Sequence, residues 1–271
     1  MSRIGIAVWN FAGDNLDKIT TFADTGYAAI SINGRFFDEP SESDHDAVRR
    51  VAEERDLLVT VHGGFHGPDK QTIDEAQTIT RTRRVLEWQE ETGRVAALTF
   101  DAPKIMVEGI RRVDAKTVSS ILGKVLSLTA GSGMKVGMED FPLNESDVAL
   151  LPDWPSEFSH YGMLVDLGHM NMRLRKNREY EGPAGVEDYL RALPVPIIEL
   201  HIHSNGGARD EHAPPYAGNA DIPTAARILK AMEFQGISTI EVVPAWCGLS
   251  SEEALPAAKK SLEYWKGLCS E

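Results

Sequence analysis

Short apolar runs of strand length alternate along this chain with stretches of helical spacing, and the alternation recurs eight times. The runs predicted as strands are Ile4–Trp9, Ala28–Ile32, Leu57–His62, Val95–Phe100, Lys135–Glu139, Gly162–Asp166, Ile197–His203 and Ser238–Val243. Helical spacing is read over Asn15–Thr25, Asp44–Arg55, Thr72–Thr92, Lys116–Ser132, Val186–Leu193, Ile222–Phe234 and Ser251–Lys266. A strand that returns to a sheet through a helix is parallel to its neighbour. No GxGxxG loop follows the first strand, where AVWNFAGDN stands instead, which disfavours an open dinucleotide-binding sheet. The expected fold is therefore a single (β/α)8 TIM barrel, with residues 1–271 forming one domain.

Composition narrows the setting. Two cysteines, Cys247 and Cys269, are too few for a disulfide framework and lack metal-finger spacing, so a reducing, cytoplasmic location is expected. The opening MSRIGIAVWNF has no charged region followed by a long apolar one, and no apolar run reaches the ~18 residues of a membrane span. Neither a secretory signal nor a membrane partner is expected. A net charge of −13 argues against a nucleic-acid partner, since duplex affinity comes from phosphate neutralisation by clustered Lys and Arg. The basic clusters Arg81–Arg84 and Arg173–Arg178 are read as solvated helix or loop faces.

Chemistry enters at the strand ends, where a barrel of this kind builds its active site. Strand three ends in His62, strand five in Glu139, and strand six in Asp166 with His169 three residues on. Strand seven carries Glu199, His201 and His203, and Asp210 and His212 follow in its loop. Strand eight carries Glu241. Successive side chains of a strand alternate faces. Glu199, His201 and His203 thus share one face, expected to point into the barrel, and Ile198, Leu200 and Ile202 the other, packed on helices. A carboxylate inside a barrel is costly unless paired or metal-bound. Several acids and imidazoles converging on one mouth offset that cost by sharing a cation. Mixed nitrogen and oxygen ligands suit zinc, manganese, cobalt or iron better than calcium.

These residues resemble the xylose-isomerase-like barrel superfamily, which holds sugar isomerases and epimerases and also endonuclease IV. The resemblance is carried by Glu139, by Asp166-x-x-His169, by His201-Ile-His-Ser with RDEH after it, by Glu241 and by the run HAPPYAGNADIP. It implies that Glu139, Asp166, His201 and Glu241 hold one divalent ion (manganese, zinc, cobalt or magnesium). It further implies Glu139 and Glu241 as acid and base on opposite faces of a substrate carbon, with His169 on a substrate oxygen. In endonuclease IV additional zinc ligands occur, and His62, His169, Asp210 and His212 match four of their positions. That enzyme also has a strand-four histidine, where this chain reads AALTFDAP with Phe100 or Asp101 at the equivalent place. Its HLND is here HIHS, with Ser204 for the aspartate.

The implied reaction is isomerisation or epimerisation of a small sugar or polyol-like substrate through an enediolate, which a divalent ion stabilises while one carboxylate removes a proton and the other returns it. A related lyase would begin with the same proton abstraction. Candidate substrate-binding residues are His62, His203, Trp9, Tyr216 and Trp246, with Asn10, Phe65 and His66 as further pocket residues. Two other readings remain: a zinc phosphodiesterase acting at abasic sites in DNA, and a non-catalytic barrel that retains metal ligands. The DEHAPPYAG loop is a candidate lid or subunit contact, so a homo-oligomer is compatible with the sequence.

Overall fold

The computed structural model describes residues 3–38, 42–65, 73–101, 104–107, 110–113, 115–139, 157–176 and 185–270. Eight of its strands are β1 (Ile4–Ala7), β2 (Ala29–Asn33), β3 (Leu58–Gly64), β4 (Val95–Asp101), β7 (Lys135–Glu139), β8 (Tyr161–Asp166), β9 (Ile197–Ile202) and β10 (Ile237–Ile240). They close into a barrel in the order β1-β10-β9-β8-β7-β4-β3-β2, with every neighbouring pair parallel. Between them run α1 (Asn15–Thr25), α2 (Glu42–Glu54), α3 (Glu75–Thr92), α4 (Ala115–Thr129), α5 (Leu167–Lys176), α6 (Val186–Arg191) and α7 (Ile222–Ala231), with α8 (Ser251–Ser270) last. The predicted (β/α)8 barrel is thus the observed fold, and no described helix is long and apolar enough to cross a membrane.

Local chemistry explains the helix starts. Asp14, Asp74 and Asp221 each accept a backbone N–H of the first turn of α1, α3 and α7, satisfying donors that have no partner inside the helix. Two elements lie outside the sequence reading. Strands β5 (Lys104–Val107) and β6 (Ile110–Val113) form an antiparallel hairpin beside the barrel. Helix α5 was not foreseen because LGHMNMRLRK offers only a sparse apolar stripe, Leu167, Met170 and Leu174, to the core.

The two faces of the barrel differ in kind. Outward residues such as Ile6, Ile30, Val61, Leu98, Val136, Val165, Leu200 and Ile240 join one apolar cluster with the helices. Many inward positions are small or polar: Ser31, Thr60, Thr99 and Thr239 are fully buried, and Thr60 donates to Ser31 across the β2–β3 pair at 2.7 Å. Ile198 departs from the expected alternation. A register shift between β8 and β9 at Met163/Leu164 turns its methyls over Gly162 and Gly137 instead of toward the helices.

A Cβ at Gly162 would meet Ile198 Cγ2 at 2.3 Å and the Pro196 carbonyl oxygen at 2.5 Å. Because one of those atoms is backbone, Gly162→Ala is expected to destabilise the protein by about 1–3 kcal/mol, read as a lower denaturant midpoint. An unchanged midpoint would contradict this packing.

Arg81 corrects the reading of its cluster as a solvated face. Its side chain is buried, bidentate to Asp38 at 2.8 Å and donating to the Gly64 carbonyl at 2.9 Å, so it ties the end of β3 to the loop after β2.

Candidate metal centre

All the predicted strand-end ligands reach the C-terminal mouth of the barrel. On β3, His62 lies beneath Trp9, with ring centroids 6.1 Å apart and 20° between planes. Its Nε2 is 3.5 Å from Asp101 Oδ1 and 3.6 Å from Glu139 Oε2. Alternation on β4 settles which residue serves the strand-four place: Thr99 and Asp101 face the site, whereas Phe100 is buried against Phe65. Phe65 is therefore core rather than pocket wall, and His66 lies outside the described residues.

Asp166 sits at the centre. It caps α5 by accepting the His169 backbone N–H at 2.7 Å, and also accepts from His203 Nε2 at 2.9 Å. A capping role and a site role thus coincide in one carboxylate. Glu139 Oε1 is 2.6 Å from His169 Nδ1, and the other nitrogen of that ring is 3.0 Å from Asp210 Oδ2. His201 Nδ1 faces Glu241 Oε2 at 2.9 Å and Asp166 Oδ2 at 4.0 Å. Gly168 is required here, since a Cβ would fall 2.0 Å from Cε1 of the His203 ring.

The loop after β9 folds back through the paired Ser204 and Ala213, whose N–H and C=O groups bond reciprocally at 2.8 Å. His212 takes a left-handed conformation (φ 45°), uncommon for a residue with a Cβ. That turn stacks it on His203, centroids 3.8 Å apart, with Nε2 3.2 Å from Asp210 Oδ2. Trp246 is 61% exposed and stands edge-on to His212 at 5.2 Å. Tyr216 is turned elsewhere: Lys260 Nζ lies 4.0 Å from its ring centre, and Tyr264 of α8 packs against it.

Burial and charge together set the protonation of these groups. Burial pushes Glu139 up to about 7 against the pull of His169. Burial would also raise Glu241 and Asp166, but their imidazole neighbours win. Glu241 is held down at about 2 by His201 and His212, and Asp166 falls well below the carboxylate range beside His169 and His203. Desolvation works to lower His62 and His212, yet Asp101 and Glu139 raise the first to about 10, and Glu241 with Asp210 raises the second to about 9.

The residues fit a divalent ion. Ligand atoms of His169, His203, Asp210 and His212 lie within 4.8 Å of one another, as do those of Glu139, Asp166 and His169, and of Asp166, His203 and Glu241. One buried polar atom in the cluster, Asp210 Oδ1, has no hydrogen-bond partner. Buried polar groups are rarely left so. Sequence reasoning missed the grouping of His203 with His212, which depends on the loop folding back, and the supporting hydroxyls of Thr99 and Thr239. Strand alternation, two residues before Asp101 and Glu241, was the signal for both.

Solved structures similar to this chain cover nearly its whole length. D-psicose 3-epimerase from Clostridium cellulolyticum H10 superposes with a TM-score of 0.70 at 13% identity, covering 98% of this chain and 99% of that one. The 3-keto-D-glucoside 4-epimerase of E. coli gives 0.70 at 21% identity, over 98% and 100% of the two chains. The IolI protein, solved with a zinc atom, gives 0.69 at 15% identity, over 99% and 98%. In sequence, the uncharacterized protein MJ1311 of Methanocaldococcus jannaschii is 26% identical over 176 residues, which is 55% of this chain and 58% of that protein's length. The xylose isomerase-like TIM barrel family matches residues 19–268, and on that match, with the closed barrel, the chain belongs to this family.

Proposed function

We propose that this protein is a divalent-metal-dependent isomerase or epimerase, or a related lyase, acting in the cytoplasm on a small sugar or polyol-like substrate. The observation that carries the reading is the meeting of Glu139, at the end of β7, and Glu241, just after β10, on the central Asp166. Each lies in a group with Asp166 whose ligand atoms are within 4.8 Å of one another. The epimerases similar in fold and the zinc of the IolI structure support the substrate class and the ion.

Glu139, Asp166, His201 and Glu241 would hold the ion, as manganese, zinc, cobalt or magnesium. Bound there, it supplies Lewis-acid chemistry, polarising a carbonyl oxygen and neutralising charge that develops on it. The chain does the rest. One glutamate takes the proton from the carbon beside the carbonyl, and the other delivers a proton to the opposite face or to the neighbouring carbon. His169, bridging Glu139 and Asp210, binds a substrate oxygen. Trp9 and Trp246 flank the mouth and offer apolar ring faces to the sugar, and His62 offers a polar contact beside Asp101. In this reading His203 orients Asp166, and Tyr216 packs the last helix.

A second reading rests on the His169, His203, Asp210 and His212 group, which offers ligands for a further ion and favours a phosphodiesterase-like centre. Elemental analysis of protein purified without chelators or metal-binding tags separates the two. About one equivalent per chain is expected for the isomerase. Two to three equivalents of zinc would favour the phosphodiesterase, and none after reconstitution would refute a metal centre.

A further inference from the structure

Beneath the mouth, one carboxylate is used by nothing described so far. Glu199 lies on β9 two residues before His201 and is fully buried within the barrel, level with Leu164 of β8 and Ile237 of β10. Its Oε1 accepts from Thr239 Oγ1 at 2.8 Å, and its Oε2 accepts from Thr99 Oγ1 at 3.2 Å. A buried carboxylate held by two hydroxyls alone is expensive. Its surroundings show what the expense achieves.

Consider the hydrogens. A hydroxyl has one to give. Thr99 gives its hydrogen to Glu199, so toward His62 it can only accept, and His62 Nδ1 lies 3.1 Å from that oxygen. His62 then carries a hydrogen on Nδ1, and Nε2 is the nitrogen turned to Asp101 and Glu139. On the other side, His201 directs Nδ1 at Glu241 and Asp166, while its Nε2 is buried, unpartnered and 4.0 Å from Glu199 Oε1. That oxygen has a lone pair left after bonding Thr239. A shift of about an ångström in either side chain completes an Nε2–H···O bond of ordinary length. It also removes the cost of an unsatisfied buried donor.

We propose that Glu199 is a positioning residue: the Glu199–Thr99–Thr239 cluster holds a hydrogen on His201 Nε2 directly and on His62 Nδ1 through Thr99, so each ring turns its other nitrogen to the mouth, where an ion displaces any proton it carries. The inference rests on the metal reading above, because a lone pair on His201 Nδ1 matters only if an ion takes it. A carboxylate behind a metal-bound imidazole holds the ring and raises its basicity, and loss of such a partner typically lowers metal affinity about 10–100-fold.

Glu199→Gln keeps the shape but brings an amide that must donate. If that NH2 faces Thr99, the hydroxyl turns round and donates to His62 Nδ1, reversing that ring's tautomer. The test compares wild type and Glu199→Gln by zinc affinity, in competition with a chromophoric chelator, and by 15N NMR of the imidazoles in the zinc-loaded proteins. The expected result is a 10–100-fold weaker Kd for the variant, with wild-type His201 bearing its hydrogen on Nε2 and the His62 or His201 signals altered by the substitution. Equal affinity within twofold, with unchanged imidazole signals, would overturn the proposal while leaving the metal centre intact. Failure of the wild type to bind zinc would instead remove the reading beneath it, and the proposal with it. Should Glu199→Gln not fold, Thr99→Val cuts only the His62 branch: a changed His62 tautomer supports the proposal and an unchanged one refutes it.

Discussion

Glu139→Gln and Glu241→Gln should each abolish measurable turnover while leaving the barrel folded. Glutamine preserves volume and one acceptor oxygen but cannot take or return a proton at neutral pH. Positioned acid–base catalysis alone contributes roughly 10²–10⁴-fold, and each substitution also removes an anionic oxygen from the proposed ion site. Both side chains lie at strand ends, buried but outside the apolar cluster, so the core survives their loss. The assay need not presuppose the sugar. Incorporation of solvent deuterium beside the carbonyl, followed by NMR across a panel of ketoses and aldoses, reads the proton abstraction itself. Activity close to wild type in either variant would sink the two-glutamate mechanism.

Removing the ion should have the second-largest effect, and the effect should grow with pH. At a thousand times its Kd a ligand adds about 4 kcal/mol to stability, and for a chain of this size each kcal/mol moves Tm by roughly 2 °C. Chelation should therefore lower Tm by roughly 8 °C under such saturation. The pH trend follows from the ion-free site. Glu139 is raised to about 7, His212 to about 9 and His62 to about 10 in the folded state. Their unfolded values lie near 4.3 for the glutamate and 6.5 for the histidines. A raised group contributes stability that is complete below its unfolded value and disappears as pH climbs through the folded one. The ion-free protein therefore loses all three contributions as pH rises from about 5 to 10. Glu241, held down at about 2, acts on the other flank: its contribution is present above about pH 4.3 and is lost as pH falls toward 2. Thermal melts with and without chelator at pH 6 and pH 9 should thus diverge more at pH 9. Metal ligands bind deprotonated, which sends affinity in the same direction. A gap that narrows with rising pH would show that Glu139 and the imidazoles beside it do not lose their protons to the ion.

Much of this architecture was readable before any coordinates. Asn15–Thr25 and Lys135–Glu139 coincide with α1 and β7, and the remaining barrel strands fall within a few residues of their predicted limits, because each is a short apolar run bounded by turn or helical residues. Alternation along the strands carried the site, since a ligand at a strand end has its direction set by backbone geometry. What escaped depends on contacts remote in sequence. Nothing local marks Ile198 as the residue that a register shift turns over Gly162. Tyr216 follows a loop whose course is decided by packing on α8, 40 or more residues later, where Lys260 and Tyr264 receive it. Sequence alone does not separate Asp101 from Phe100; the Thr99–Glu199 bond sets the phase of β4.

The seam of the barrel has a consequence for how a metal is chosen. Strand β1 pairs with β10, Ile4 beside Ser238, so the ring is incomplete until segments from opposite ends of the chain meet. Glu241 follows directly on β10, its N–H bonded to the Ile202 carbonyl of β9 at 3.1 Å. The proposed ligands, at the ends of β7, β8 and β9 and just after β10, share a common geometry only once those four neighbouring strands have paired. A zinc finger captures its ion while unfolded and folds around it. An ion at the proposed site would enter a cavity already formed, so discrimination among cations would fall to a finished set of distances and to whichever metal the cell supplies after folding.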